Sequence, residues 1–190
     1  MMNALVLGSG SPRRKELLEL AGYRFEVRTS EADESVITEK DPEILVKKLA
    51  EVKADHIETD NNEILVTADT VVSIDGEVLG KPESKEEAIE TLRLLSGRSH
   101  AVHTGVMIRG SESYDLFAAR TEVDFLELTE TDILRYIDTG DSFDKAGSYG
   151  IQTKGALLVK GIKGDYYNVV GLPIACLARK LVSFNIFPSW

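Results

Sequence analysis

The sequence predicts a mixed α/β protein whose helices and strands share one core. Two apolar runs, 4–7 and 64–68, are short and nearly continuous, which is typical of strands buried on both faces. Alternating residues at 101–108 and 118–125 predict an antiparallel hairpin. Helical patterns separate these strands, without an internal repeat or a linker. The length of 190 residues suits a single domain over 1–190.

Capping residues mark where the helices begin. Ser11 before Pro12 supplies an N-cap and a proline at the first helical position, and Asp41 before Pro42 repeats the pattern. Ser84 has a glutamate three residues later, as in a capping box. The predicted helices are 12 to about 21, 42 to about 57, 85 to about 96, a short helix after Thr129 that ends near Gly140, and a last helix after Pro173; the predicted strands are 4–7, 24–28, 64–68 continued by 71–74, 101–108, 118–125 and 156–159.

The charge of the chain excludes some classes of function. Lys and Arg number 22 against 32 Asp and Glu, so the net charge is −10 and the protein repels a nucleic-acid polymer. A phosphate ligand would therefore need a local basic pocket or a metal ion. The single cysteine, Cys176, excludes an intramolecular disulfide and metal sites built from several cysteines.

The apolar residues of the sequence predict neither a membrane-spanning segment nor an export signal. No stretch approaches the roughly 18 to 20 apolar residues that cross a bilayer, and the run at 4–7 is too short for the core of an export signal. Together with the single cysteine, this predicts a cytoplasmic protein without a membrane partner.

The first turn, between the strand at 4–7 and the helix at Pro12, could bind an anion. The hydroxyls of Ser9 and Ser11 and the first amides of the helix can donate to phosphate, and Arg13 and Arg14 bring positive charge. Spacing alone is equally consistent with an ordinary serine cap and two solvated arginines. A dinucleotide motif is excluded because Arg13 stands where the third glycine of GxGxxG belongs.

Asp69 gains interest from its position after a buried strand, where α/β folds usually place ligands and catalytic groups. It could serve as a general base or a metal ligand, or it could simply cap a turn. Lys53 lies on the border of an apolar helix stripe, where it could point into a cleft or out to water. Lys81 precedes a proline and could contact a phosphate, although the sequence alone favours an exposed turn lysine. An acidic stretch with Glu31, Asp33 and Glu34 could bind Mg²⁺, but such a run is more often a solvated loop.

Short motifs follow one another along the chain: Ser9–Leu18 (SGSPRRKELL), Glu31–Glu34 (EADE), Lys53, Thr67–Val72 (TADTVV), Gly80–Pro82 (GKP), Leu95–Arg98 (LSGR), Asp144–Gln152 (DKAGSYGIQ), Gly164–Tyr167 (GDYY) and Gly171–Pro173 (GLP). Together they resemble the Maf family of nucleoside triphosphate pyrophosphatases. The motifs follow the family's order over nearly the whole chain, which makes the resemblance specific. It implies an α/β fold of two lobes with a central cleft, similar to inosine triphosphate pyrophosphatases, and hydrolysis of a nucleoside triphosphate to monophosphate and pyrophosphate.

The resemblance also implies a role for each matching residue. Asp69 matches the proton acceptor, and Glu34, with Asp69, matches the acidic part of a site for Mg²⁺ or Mn²⁺. The form of the motif ending at Gln152 resembles the branch that acts on dTTP and UTP, and a homodimer is expected from the family. Positions around the triphosphate are matched by Ser9, Arg13, Arg14, Lys53 and Lys81, and positions associated with base choice by Arg13, Thr70 and Gln152.

The chain departs from the family at three positions, and other functions stay open. Asp33 stands where glutamate is frequent, Ser148 where alanine is frequent, and Thr153 where glycine is frequent. The family is also associated with arrest of septum formation, so a nucleotide-binding regulator without catalysis is the alternative. A generic phosphatase would differ by releasing orthophosphate rather than pyrophosphate.

Overall fold

A computed structural model describes residues 3–33 and 37–189. Its core is one seven-stranded mixed sheet of order β2-β1-β3-β5-β6-β7, with β4 paired to β3. The strands are β1 (Ala4–Leu7), β2 (Phe25–Val27), β3 (Glu63–Ile74), β4 (Glu77–Leu79), β5 (Ser99–Arg109), β6 (Tyr114–Phe125) and β7 (Val159–Lys163). The helices are α1 (Pro12–Leu20), α2 (Pro42–Asp55), α3 (Lys85–Leu95), α4 (Glu130–Ile137), α5 (Tyr166–Val170) and α6 (Ile174–Leu181), with 3-10 turns at Ala146–Ser148, Lys154–Leu158 and Val182–Phe184.

The sheet changes from parallel to antiparallel pairing at β3. On one side, β1 pairs in parallel with β2 and with the first residues of β3. On the other side, β3, β5, β6 and β7 follow one another antiparallel, as the predicted hairpin at β5 and β6 requires. This confirms the predicted mixed α/β class.

Helices cover both faces of the sheet. The buried side of α2 packs on one face, where Ala50 and Ala54 meet Val6, Leu65 and Met107. The other described helices contribute to the larger cluster on the opposite face. In the described part of the chain, no helix has both the length and the apolar character that a bilayer crossing demands.

One edge of β3 is open for a short distance. β1 pairs with residues 63–66 of β3, and β4 pairs with residues 72–74. Between these two partners, the described residues place no strand beside 67–71 on this edge, although β5 covers the opposite edge throughout. Neighbouring side chains of a strand point to opposite faces, so this opening gives access to both faces of the sheet at once.

Two sequence predictions about strands are wrong in detail. Asp69 does not follow the end of a strand, because β3 continues unbroken through it and Thr70. The strand predicted at 156–159 is a 3-10 turn, with pairing to β6 beginning at Val159. The chain turns back on itself here, so that a Cβ on Gly155 would lie 2.6 Å from the carbonyl oxygen of Gly150. The N–H of Ala156 donates to the carbonyl of Thr153, three residues earlier, and not to a neighbouring strand.

Candidate active site

The opening in β3 leads into a cavity of about 690 Å³. It is the central cleft that the resemblance implied, bounded by the β1–α1 turn, β3, the end of β4 and the loop before β7. Glu34, the remaining predicted site residue, lies outside the described residues. The lining includes each of the other predicted site residues: Ser9, Arg13, Arg14, Lys53, Asp69, Thr70, Lys81 and Gln152.

The cavity reverses the charge of the chain locally. Its described lining carries five cationic side chains and two carboxylates, an excess of three positive charges on a protein of net charge −10. A concave site with one sign of charge concentrates ligands of the opposite sign. The cations are Arg13, Arg14, Lys53, Lys81 and Lys145, and the carboxylates are Asp69 and Asp144.

In the turn between β1 and α1, the hydroxyl of Ser9 contacts Arg14, and the hydroxyl of Ser11 does not cap the helix. Ser11 occupies the N-cap of α1 as predicted, but its side chain makes no capping hydrogen bond. Ser9 Oγ instead accepts from the backbone N–H of Ser11 at 3.3 Å and from Nη1 of Arg14 at 3.1 Å. The turn is therefore built around the guanidinium of Arg14.

Arg14 is a buried cation tied to three parts of the fold. Its Nε donates to the carbonyl of Gly171 at 2.8 Å, and its Nη2 donates to Oγ1 of Thr70 at 3.1 Å. With the bond to Ser9, the guanidinium joins α1, β3 and the end of α5. Such bonds fix the guanidinium plane and its charge against the cavity.

Lys53 and Asp69 form an ion pair at the other face of β3. Lys53 Nζ, near the end of α2, donates to Oδ1 of Asp69, and both side chains are largely buried. Asp69 is an odd-numbered residue of β3, like Leu65 and Val71, which pack against α2. Thr70 points the opposite way, toward Arg14, and the open edge brings both to the cavity.

Arg13 crosses the cavity to the loop before β7. Its Nη1 donates to Oδ2 of Asp144 at 2.7 Å, and Lys145 Nζ donates to Oδ1 of the same carboxylate at 2.5 Å. Burial alone would raise the pKa of Asp144, but the hydrogen bonds from Lys145 and Arg13 outweigh it and lower that pKa to about 2. Asp144 therefore stays anionic at neutral pH, held by two of the cavity's cations.

A half-buried carboxylate that the sequence did not single out, Asp141, holds the loop that carries Gln152. Asp141 Oδ2 accepts from Tyr136 Oη at 2.8 Å and from Oγ1 of Thr153 at 2.6 Å, and its Oδ1 lies 3.1 Å from Lys145 Nζ. Burial, followed by the hydrogen bond to Asp141, raises the pKa of Tyr136, which therefore stays neutral. Thr153, where the family frequently has glycine, thus stabilises the loop through its hydrogen bond to Asp141.

Lys81 and Gln152 are the most open of the predicted site residues. Both are exposed at the cavity, Lys81 just beyond β4 and Gln152 in the loop before β7. Gln152 Nε2 lies 3.5 Å from Oε2 of Glu16 in α1, and the N–H of Gly147 donates to the carbonyl of Gly80 at 3.0 Å. The loop is therefore attached to both sides of the cavity.

The described lining of the cavity offers two carboxylates to a divalent cation, so a phosphate ligand would have to supply further oxygens. In residues 3–33 and 37–189, no cluster of three or more His, Cys, Asp or Glu side chains is placed to cage a metal. Mg²⁺ usually takes only one or two carboxylates and completes its shell with phosphate oxygens and water. Asp69 would offer one carboxylate, already paired with Lys53, whereas Asp144 is held by two cations, Arg13 and Lys145, and is the less suited of the two.

Comparison with known proteins identifies the class. The family model described as Maf-like protein matches residues 4–184, so this chain belongs to that family. It is 50% identical over 188 residues to the dTTP/UTP pyrophosphatase of Bacillus pumilus strain SAFR-032, covering 98% of this chain and 100% of that protein. It is also 50% identical over 186 residues to the dTTP/UTP pyrophosphatase of Bacillus cereus, covering 97% of both.

A solved structure shares the fold. A HAM1 protein from Coxiella burnetii superimposes with a TM-score of 0.53 over 96% of this chain and 100% of that one, at 17% sequence identity. At that identity the likeness is one of fold, and it agrees with the mixed α/β architecture described above.

Proposed function

We propose that this protein is a nucleoside triphosphate pyrophosphatase that hydrolyses dTTP and UTP to the monophosphate and pyrophosphate. The observation that carries the proposal is the ion pair of Lys53 and Asp69 inside a cavity with an excess of positive charge. A triphosphate carries the negative charge that such a cavity attracts. Its relatives named dTTP/UTP pyrophosphatase support the choice of substrate.

The two faces of β3 contribute to different parts of the reaction: Arg14 lies on one face and binds phosphate, and Asp69 lies on the other and acts as the base. Arg14, with Arg13 and Lys81, binds the phosphates, and Asp69 accepts the proton of a water that attacks the α-phosphorus. The bond between the α-phosphorus and the bridging oxygen breaks, and pyrophosphate leaves with that oxygen. Lys53 keeps the carboxylate of Asp69 oriented while this happens.

A divalent cation, Mg²⁺ or Mn²⁺, belongs to the same proposal. Asp69, together with the predicted ligand Glu34, would hold it, and when bound it neutralises charge on the triphosphate. Gln152 offers both a donor and an acceptor, which suits the imide edge of uracil or thymine. A nucleotide substrate accords with a cytoplasmic protein, and the homodimer stays a prediction.

The test is a product assay. The purified protein is incubated with dTTP, UTP, CTP, GTP and 7-methyl-GTP, with Mg²⁺ or with a chelator, and the products are separated by ion-exchange chromatography. We expect dTMP and UMP with equimolar pyrophosphate, and only with metal. Diphosphate with orthophosphate would overturn the proposed bond, and binding without turnover would favour the regulator.

A further inference from the structure

A row of polar side chains runs from Arg14 away from the cavity into the core. Arg14 Nη2 lies 3.1 Å from Oγ1 of Thr70, which lies 2.9 Å from Oγ1 of Thr104 on β5. Thr104 Oγ1 in turn lies 3.1 Å from the carbonyl oxygen of Asn168 in α5. The row joins α1, β3, β5 and α5, and its inner member, Thr104, is completely buried.

The chemistry of the two ends fixes the direction of every proton in the row. A backbone carbonyl only accepts, so the single proton of Thr104 is donated to Asn168. Thr70 must then donate its own proton to Thr104, since Thr104 has no second proton to give. The oxygen of Thr70 is left as an acceptor, which is what the guanidinium of Arg14 requires because it only donates.

The inner end of the row is itself held in place. The carbonyl of Asn168 also accepts from the N–H of Gly171 at 3.0 Å, and Gly171 presents its own carbonyl to Nε of Arg14. The side-chain amide of Asn168 donates to the carbonyl of Val102 and to Oγ1 of Thr121, each at 3.0 Å. Two routes from α5 thus converge on one guanidinium.

We propose that Thr104 is a positioning residue for anion binding, because it makes Thr70 an acceptor toward Arg14. The inference rests on the proposed function in that the anion is the phosphate part of the substrate. It also changes the role of Thr70, which the resemblance associates with base choice. Because Thr70 donates its proton to Thr104, it cannot donate a hydrogen bond to the ligand. Its effect on the ligand is therefore exerted through the position of Arg14.

The test compares substitutions of Thr104 by the affinity for inorganic pyrophosphate, measured by titration calorimetry with Mg²⁺. Thr104→Val keeps the shape of the side chain but removes the oxygen that accepts the proton of Thr70. The Thr70 hydroxyl can then rotate its proton toward Arg14, which weakens the hydrogen bond between Thr70 and the guanidinium. We expect about tenfold weaker binding, the effect of losing one hydrogen bond in a buried row. Thr104→Ser restores both the donor and the acceptor and should bind like the unmodified protein.

Thr67→Val is the matched control. Thr67 is another completely buried threonine, on β3, whose hydroxyl donates to the carbonyl of Ala50 in α2 and not toward Arg14. It should lose stability without losing pyrophosphate affinity. If Thr104→Val does not fold, Thr70→Val breaks the same row one step nearer the cavity and should weaken binding to the same extent.

Several outcomes would overturn the inference. Unchanged pyrophosphate affinity in folded Thr104→Val, or in Thr70→Val, would do so, as would a failure of Thr104→Ser to restore it. A wild-type protein that binds no pyrophosphate would also contradict it, since Arg14 would then hold no anion. These affinities do not depend on turnover, so a protein that binds pyrophosphate but hydrolyses neither dTTP nor UTP would refute the proposed function alone.

Discussion

Asp69 on β3 lies directly opposite Gly105 on β5, and the missing side chain of Gly105 lets α2 reach the sheet at that point. A Cβ on Gly105 would lie 2.2 Å from the carbonyl oxygen of Val46 in α2. The same helix carries Lys53, whose Nζ donates to the carboxylate of Asp69. The contact between a strand and a helix backbone therefore sets the geometry of the ion pair in the cavity.

Gly105→Ala should separate α2 from the sheet and weaken the protein. The added methyl meets backbone, which cannot rotate away, so we expect a loss of about 1–3 kcal/mol in the free energy of unfolding, measured with urea. Turnover should fall as well because Lys53 moves relative to Asp69. Gly161→Ala on β7 is the control, since its Cβ would meet nothing within 4 Å. Equal stability of the two variants would contradict the close approach.

Asp69→Asn should abolish turnover and spare binding. Asparagine keeps the size of aspartate and an oxygen that accepts from Lys53, but it is not a base. We expect kcat for dTTP to fall by about 10²–10⁴-fold, the usual contribution of a general base, with nucleotide affinity measured in the presence of a chelator nearly unchanged. Asp138→Asn, which removes a carboxylate paired with Lys85 on the surface, should retain activity. Near-normal turnover of Asp69→Asn would remove Asp69 as the base.

Local signals predicted the starts of the helices because their causes lie within a few residues. The carboxylate of Asp41 accepts from the N–H groups of Glu43 and Ile44, as its place before Pro42 suggests. Thr129 forms a complete capping box with Asp132. Neither feature needs the rest of the fold, so a reader of the sequence can find both.

Contacts between residues that are far apart in sequence could not be predicted from local patterns. The hydroxyls of Thr70 and Thr104 are 34 residues apart in sequence, and Arg14 is 56 residues from Thr70. Sequence reasoning placed Asp69 just after a strand because the continuous apolar run stops at Ala68, but Lys53 and the open edge of β3 accommodate the carboxylate within the strand. The residues around Asp141 were missed because only the folded loop brings them together.

Thr153→Val should loosen the loop that carries Gln152. The hydroxyl of Thr153 donates to the half-buried carboxylate of Asp141 and lies 3.0 Å from the carbonyl oxygen of Gly150, so valine removes the donor that closes this turn. We expect KM for UTP to rise about fivefold, the effect of about 1 kcal/mol, with a smaller change in kcat. Thr153→Ser keeps the hydroxyl and should behave like the unmodified protein. Identical KM values for Thr153→Val and Thr153→Ser would show that the hydroxyl of Thr153 does not contribute to substrate binding.

His100 should make the protein less stable in mild acid. Burial lowers the pKa of His100 to about 4, and its Nε2 lies 2.8 Å from Oη of Tyr149 among aromatic rings. Between its unfolded pKa of about 6.5 and the folded value, only the unfolded chain binds the proton, so stability falls as pH falls, by about 1.4 kcal/mol per pH unit. Urea unfolding at pH 7, 6 and 5 measures this slope, and His100→Gln should reduce it. His103, whose pKa burial also lowers, adds to the slope in both proteins and cancels in the comparison. An equal slope in the variant would mean that His100 does not stay neutral in the fold.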